Sequence, residues 1–168
     1  EEIKKEVSTL TNKPCLLVIL VGDDQASKIY VSSKEKACAR VGMESKTIVL
    51  DKNVSQKEVI NIIEDANKDK NIHGILVQMP LPKHMNEKKI VDAIDPMKDV
   101  DGLHALNQGK LMLDEPGIIP ATPKGIIRLL DEYHVNLTGK NAIVIGRSIL
   151  VGKPIAQLLL KKNATVTM

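Results

Sequence analysis

Apolar residues along the chain fall into two alternating textures: short unbroken runs, and longer stretches at helical spacing. Residues 15–21 (Cys-Leu-Leu-Val-Ile-Leu-Val) form a continuous apolar run closed by Gly22-Asp23-Asp24, the pattern of a strand buried on both faces. Residues 26–41 are spaced as a helix, with Gly42 placed to cap its C-terminus. A second strand is predicted over 46–50 and a second helix over 55–66, with Ser55 as N-cap. A third strand follows over 73–79 and a third helix over 86–94. Right-handed crossovers turn this β-α-β-α-β-α order into a parallel sheet covered by helices.

The texture then changes. Residues 95–120 are rich in Asp, Gly, Asn and Pro without sustained periodicity, and read as a long loop of the kind that carries function or links domains. A helix is predicted over 122–133, a buried strand over 142–145, a helix over 152–161 and a strand over 164–167. That closing β-α-β is the opening of a second parallel sheet, and two strands alone do not complete a doubly wound domain. The predicted fold is therefore α/β: an N-terminal parallel-sheet domain, residues 1–119, followed by the start of a Rossmann-type dinucleotide-binding domain, residues 120–168.

Composition narrows the classes. The 168 residues carry 24 Lys and Arg against 21 Asp and Glu, a formal charge of +3 that is too even for a nucleic-acid binder. Hydrophobic residues at 43% and charged residues at 27% belong to a globular chain rather than a disordered one. The apolar runs are far too short to cross a bilayer. With no Phe or Trp and only Tyr30 and Tyr133, the core must be built from Ile, Leu and Val. Cys15 and Cys38 lack metal-binding spacing and sit in apolar segments, which predicts buried thiols in a reducing compartment. His73, His84, His104 and His134 are scattered and form no metal-ligand pattern.

Four segments carry candidate chemistry. Tyr30 and Lys34 are i and i+4 on a helix, and Ala37 and Val41 continue that stripe, so Lys34 is the cation on the apolar side. A snorkelling lysine accounts for this; so does a lysine in a cleft that exchanges a proton near neutrality. Gln78 closes a buried strand just before Pro80 and Pro82, at the carboxyl end where α/β proteins place ligands. Asp99 and Asp101 beside Gly102 suggest a solvated turn, although an Asp on such a loop can grip a donor-rich heterocycle. Gly146-Arg147-Ser148 joins a buried strand to a helix with Pro154 in its first turn, an architecture that sets a phosphate on a helix N-terminus. It is neither GxGxxG nor GxSxG.

Together these segments resemble the methylenetetrahydrofolate dehydrogenase/cyclohydrolase family, in the style of its bacterial bifunctional members. The matching stretches are Val21-Gly-Asp-Asp with Ser27, Tyr30-Val-Ser-Ser-Lys34-Glu-Lys-Ala, Gly74 through Gln78 to Pro82, Lys98-Asp-Val-Asp-Gly102 with Asn107 and Gly109, Pro120-Ala-Thr-Pro123 with Gly125, and Gly146-Arg-Ser148 through Val151-Gly-Lys-Pro154. The ordered set spans nearly the whole chain. The resemblance implies a cytoplasmic homodimer that oxidises 5,10-methylenetetrahydrofolate with NADP, in preference to NAD, and hydrolyses the methenyl product to 10-formyltetrahydrofolate. It places the chain in one-carbon metabolism and purine biosynthesis, with tetrahydrofolate derivatives as partners and neither nucleic acid nor membrane. Carried over by motif, Lys34 is the general acid/base, Tyr30 stacks on the folate, Gln78 orients Lys34 and Asp101 holds the pterin edge. Gly146, Arg147 and Ser148 lie against the cofactor phosphates, and no metal is implied. Ala121, Leu103 and Ala105 depart from the usual Cys, aromatic and Pro as packing variants. The family also implies a strand before Glu1 and a continuation past Met168 through a His-Ser segment and a Pro/Gly-rich segment.

Three other readings remain at this level. A dehydrogenase-only relative would let the methenyl product accumulate. A shikimate-type reductase shares the two-domain plan but leaves the Tyr30, Lys34 and Gln78 set without a use. A non-catalytic folate-binding fragment would bind folate without turnover.

Overall fold

The structure, a computed structural model, describes all residues from Glu1 to Met168. It divides into two compact units, Glu1–Lys98 and Asp99–Met168.

The first unit opens with helix α1 (Glu2–Thr9), an element absent from the pattern of predicted strands and helices. Ile3, Val7 and Leu10 stand at helical spacing there, but only Val7 is buried. Strand β1 (Cys15–Val21) follows and is buried at every position but Leu16, as its unbroken apolar run demands. Helix α2 (Gln25–Val41) is closed by Gly42 in the left-handed conformation, φ 85°, as expected for a C-cap. Strand β2 is Glu44–Leu50 and helix α3 is Gln56–Lys68. The Ser55 hydroxyl accepts the Glu58 N–H at 3.2 Å, the N-cap predicted for α3. Strand β3 is Gly74–Val77, shorter than predicted at both ends, and α4 is Glu87–Asp92.

The three strands pair in parallel in the order β2-β1-β3, with Cys15 opposite Glu44 and Leu16 opposite Gly74. Leu17 and Ile19 of β1, Ile63 of α3, Ile75 of β3 and Ile90 of α4 form the heart of one core. Full burial of each such side chain contributes roughly 1.5–3 kcal/mol relative to exposure.

Lys98 fastens the end of this unit. Its ammonium donates to the carbonyls of Ala66, Asn67 and Asp69 at 2.8–2.9 Å. It thereby caps the C-terminus of α3, where a positive charge is favoured. Its own carbonyl accepts the Ile75 N–H.

The second unit contains helix α5 (Ala105–Met112), where a loop was expected, then α6 (Ala121–Glu132), β4 (Asn141–Ile143), α7 (Gly152–Lys161) and β5 (Thr165–Thr167). Helix α5 hid because its inward residues are Asn107 and Leu111, so one of its two buried positions is polar. Strands β4 and β5 pair in parallel, Asn141 opposite Thr165. Ile155, Leu159 and Ala164 form their small core. Ile143 and Ile145 lie exposed.

Candidate active site

Helix α2 starts at Asp24, whose carboxylate accepts the Ser27 N–H at 2.8 Å. The backbone and side-chain donors of Ser27 hold that carboxyl below its usual range. From there Ser27, Val31 and Cys38 turn inward. This buried stripe is displaced from the Tyr30–Lys34–Ala37–Val41 stripe that the sequence suggested. Tyr30 is 63% exposed, while Lys34 sits at the margin of the buried face.

From that margin Lys34 Nζ donates to Gln78 Oε1 at 2.7 Å. Gln78 directly follows β3, and its backbone N–H donates to Ile19 O at 2.9 Å, extending the sheet by one residue. Its side-chain amide nitrogen donates to Met79 O at 2.7 Å. That bond fixes which end of the amide faces Lys34, because only the carbonyl end can accept from an ammonium. The Met79–Pro80 peptide is cis. On the opposite flank of α2, Thr47 of β2 donates its hydroxyl to Glu35, one residue from Lys34. The helix is thus tied to the sheet on both sides of the lysine. An open cavity of about 360 Å³ at the carboxyl ends of β1 and β2 is lined by Gly22, Asp23, Asp51 and Lys52, and includes neither Lys34 nor Gln78. The bonded lysine–glutamine pair, apart from that cavity, is the candidate site in this unit.

In the second unit the loop into α5 holds Asp99, Asp101 and Gly102. Asp101 is half-buried. Asp99, read as part of a solvated turn, is instead buried, and accepts the His104 N–H at 2.8 Å and the Asn107 side-chain amide at 2.9 Å. His104 caps α5, its Nδ1 accepting the Leu106 N–H at 3.1 Å. Nothing in the local pattern distinguished Asp99 from Asp101, since both flank Val100 in a turn-like sequence.

The turn between β4 and α7 exposes Gly146, Arg147 and Ser148. Gly146 adopts φ 146°, a conformation that favours glycine. An ideal Cβ on Gly152 would lie 2.4 Å from Gly146 O and 2.7 Å from Arg147 N, so the turn rests directly on the start of α7. Ser148 Oγ accepts the N–H groups of Val151 and Gly152 at 3.1 and 3.3 Å, and Ser148 O accepts that of Lys153. These donors were expected to face a phosphate; here the serine already satisfies them. Beside them the Arg147 side chain is exposed, so positive charge stands at the turn.

Elsewhere, no three His, Cys, Asp or Glu side chains converge as a metal site requires. Both cysteines are free and buried. His73 Nδ1 accepts the Cys15 N–H at 3.1 Å. No helix is long and apolar enough to cross a membrane.

A parallel α/β unit with a polar pair at its strand ends, followed by a second α/β unit with a glycine turn between strand and helix, defines a two-unit parallel α/β chain. Known proteins sharpen this. The tetrahydrofolate dehydrogenase/cyclohydrolase catalytic domain matches residues 1–101, and the NAD(P)-binding domain of the same family matches 120–168. The bifunctional protein FolD of Thermodesulfovibrio yellowstonii is 52% identical over 171 residues, covering 100% of this chain and 60% of the relative. The crystal structure of the bifunctional FolD methylenetetrahydrofolate dehydrogenase/cyclohydrolase of Campylobacter jejuni superposes with a TM-score of 0.97 at 44% identity, covering 99% of this chain and 60% of that one. The Trypanosoma brucei methylenetetrahydrofolate dehydrogenase-cyclohydrolase, solved with NADP and an inhibitor, gives 0.95 at 34% identity, covering 99% and 58%. The chain belongs to the tetrahydrofolate dehydrogenase/cyclohydrolase family. It spans about 60% of the length of the curated relatives it matches.

Proposed function

We propose that this protein is a bifunctional one-carbon folate enzyme, oxidising 5,10-methylenetetrahydrofolate to the methenyl form with NADP and hydrolysing that product to 10-formyltetrahydrofolate. The observation that carries the reading is the Lys34–Gln78 bond at the strand ends of a unit that matches the family's catalytic domain. In this reading residues 1–119 hold the folate and residues 120–168, which match the NAD(P)-binding domain, hold the cofactor. The protein is a cytoplasmic homodimer that supplies one-carbon units for purine biosynthesis.

Hydride transfer asks the protein only to align two rings. Tyr30, one turn before Lys34 and exposed, offers a flat face for the folate, and Asp101 accepts from the N–H groups of the pterin edge. NADP, when bound, supplies the hydride acceptor, and Gly146, Arg147 and Ser148 would hold its phosphates. Hydrolysis needs a proton carrier. Water adds to the methenyl carbon, the carbon–N5 bond breaks, N5 takes one proton and a second is released. Lys34 accepts the proton from the attacking water and returns one to N5, while Gln78 keeps its amine aimed at the reacting carbon.

Replacing Lys34 with Ala should abolish methenyl hydrolysis, read as loss of methenyl absorbance, while tetrahydrofolate still binds. Hydrolysis at the unaltered rate would refute the role of Lys34. Accumulation of methenyl product by the unaltered protein would leave a dehydrogenase alone.

A further inference from the structure

Asp99 is the one charged side chain in the buried set, 1% exposed. A carboxylate withdrawn from water is costly unless donors meet it, and here its own loop meets it. Asp99 Oδ2 accepts both the His104 N–H and the Asn107 side-chain amide, and Asn107 is itself 3% exposed. His104 is the N-cap of α5, so the carboxylate also lies at the helix end where negative charge is favoured. A second tie closes the loop from the other side: the Gln108 amide nitrogen donates to Gly102 O at 2.6 Å. Gly102 holds φ 65°, and a Cβ there would stand 2.8 Å from Ile118 O. Val100 and Asp101 lie between these two fastenings.

We infer that Asp99 is a positioning residue for the folate site, a buried anchor that folds residues 99–108 into the shape that presents Asp101. The anchoring stands on the bonds above; the presentation of Asp101 to a pterin rests on the function proposed in the preceding section. Charge alone does not do this work. Both bonds fall on one oxygen, so an Asn at position 99 can keep them through its carbonyl, whereas an Ala cannot.

Two measurements on the full chain separate the possibilities: backbone hydrogen exchange at His104, and equilibrium binding of tetrahydrofolate, which carries the pterin edge but does not react. Asp99→Asn should stay within about threefold of the unaltered protein in both. Asp99→Ala should exchange the His104 amide faster by about tenfold or more and weaken tetrahydrofolate by about tenfold or more. If Asp99→Ala fails to fold, Asn107→Ala removes one of the two bonds and should move both readouts in the same direction by less. Protection of His104 retained in both alanine variants would overturn the anchoring. Protection lost with tetrahydrofolate affinity unchanged would overturn the presentation of Asp101. Failure of the unaltered protein to bind tetrahydrofolate would overturn the folate reading, and the presentation of Asp101 with it, while the exchange result would still decide the anchoring.

Discussion

The thiols of Cys15 and Cys38 are 2% and 7% exposed, and loss of hydration pushes both above the ordinary thiol range, with neighbouring carboxylates adding to the effect. Lys46 opposes the rise at Cys15 without cancelling it. Because the thiolate is the reactive form, both should react with a disulfide reagent slowly in the folded chain and at free-thiol speed in denaturant. Two thiols per chain titrating rapidly under native conditions would contradict their burial. At this scale the sequence was legible where a residue broke its surroundings. Gln78 was a polar stop to a buried strand and is bonded to Lys34, whereas the stripe on which the sequence set Lys34, with Tyr30, Ala37 and Val41, is not the buried one, which runs through Ser27, Val31 and Cys38. Asp99 was not legible. Its neighbours Lys98, Val100 and Asp101 describe a surface turn, and its burial depends on His104 and Asn107 folding back over it. Lys98 likewise shows no sign in sequence of the three α3 carbonyls that it binds.

Helices show the same division between local and distant causes. Caps are local, so Ser55 and Gly42 could be assigned from sequence and stand where they were expected. Helix α5 depends on the buried Asn107 and was missed. Two helical glycines look equivalent in sequence and differ in what surrounds them. A Cβ on Gly152 would press on the Gly146–Arg147 peptide, which is backbone and cannot swing aside; nothing lies within 4 Å of the same position at Gly125 in α6. Gly152→Ala should therefore cost about 1–3 kcal/mol through overpacking. Gly125→Ala should stabilise by about 0.5–1 kcal/mol through lower unfolded-state entropy. Denaturant melts of the two variants should shift in opposite directions. A stable Gly152→Ala would mean that the turn does not rest on α7 as described.

Across the molecule, apolar burial is uneven. Unit 1 packs β1, α3, β3 and α4 around one large cluster and buries Val18, Leu20, Val31 and Cys38 besides, whereas the cluster of the β4–α7–β5 part of unit 2 has only Ile155, Leu159 and Ala164 as its buried members. Local stability follows buried contacts. Amides of β1 and β3 should accordingly exchange slowest, and those of β4 and β5 should open at lower free energy. Equal protection of the two sheets would count against this asymmetry. The parallel α/β order and the change of texture near residue 95 were readable because periodicity is a property of short windows. Strand order was not, because it depends on which edges meet. The order β2-β1-β3 has a consequence in time. Leu16 must find Gly74, 58 residues later, and a ribosome adding about 5–20 residues per second needs roughly three to twelve seconds to make them. During that interval the most apolar stretch of the nascent chain has at most one neighbour beside it. The strand that becomes the centre of the finished sheet is thus the one most in need of protection while the protein is being made.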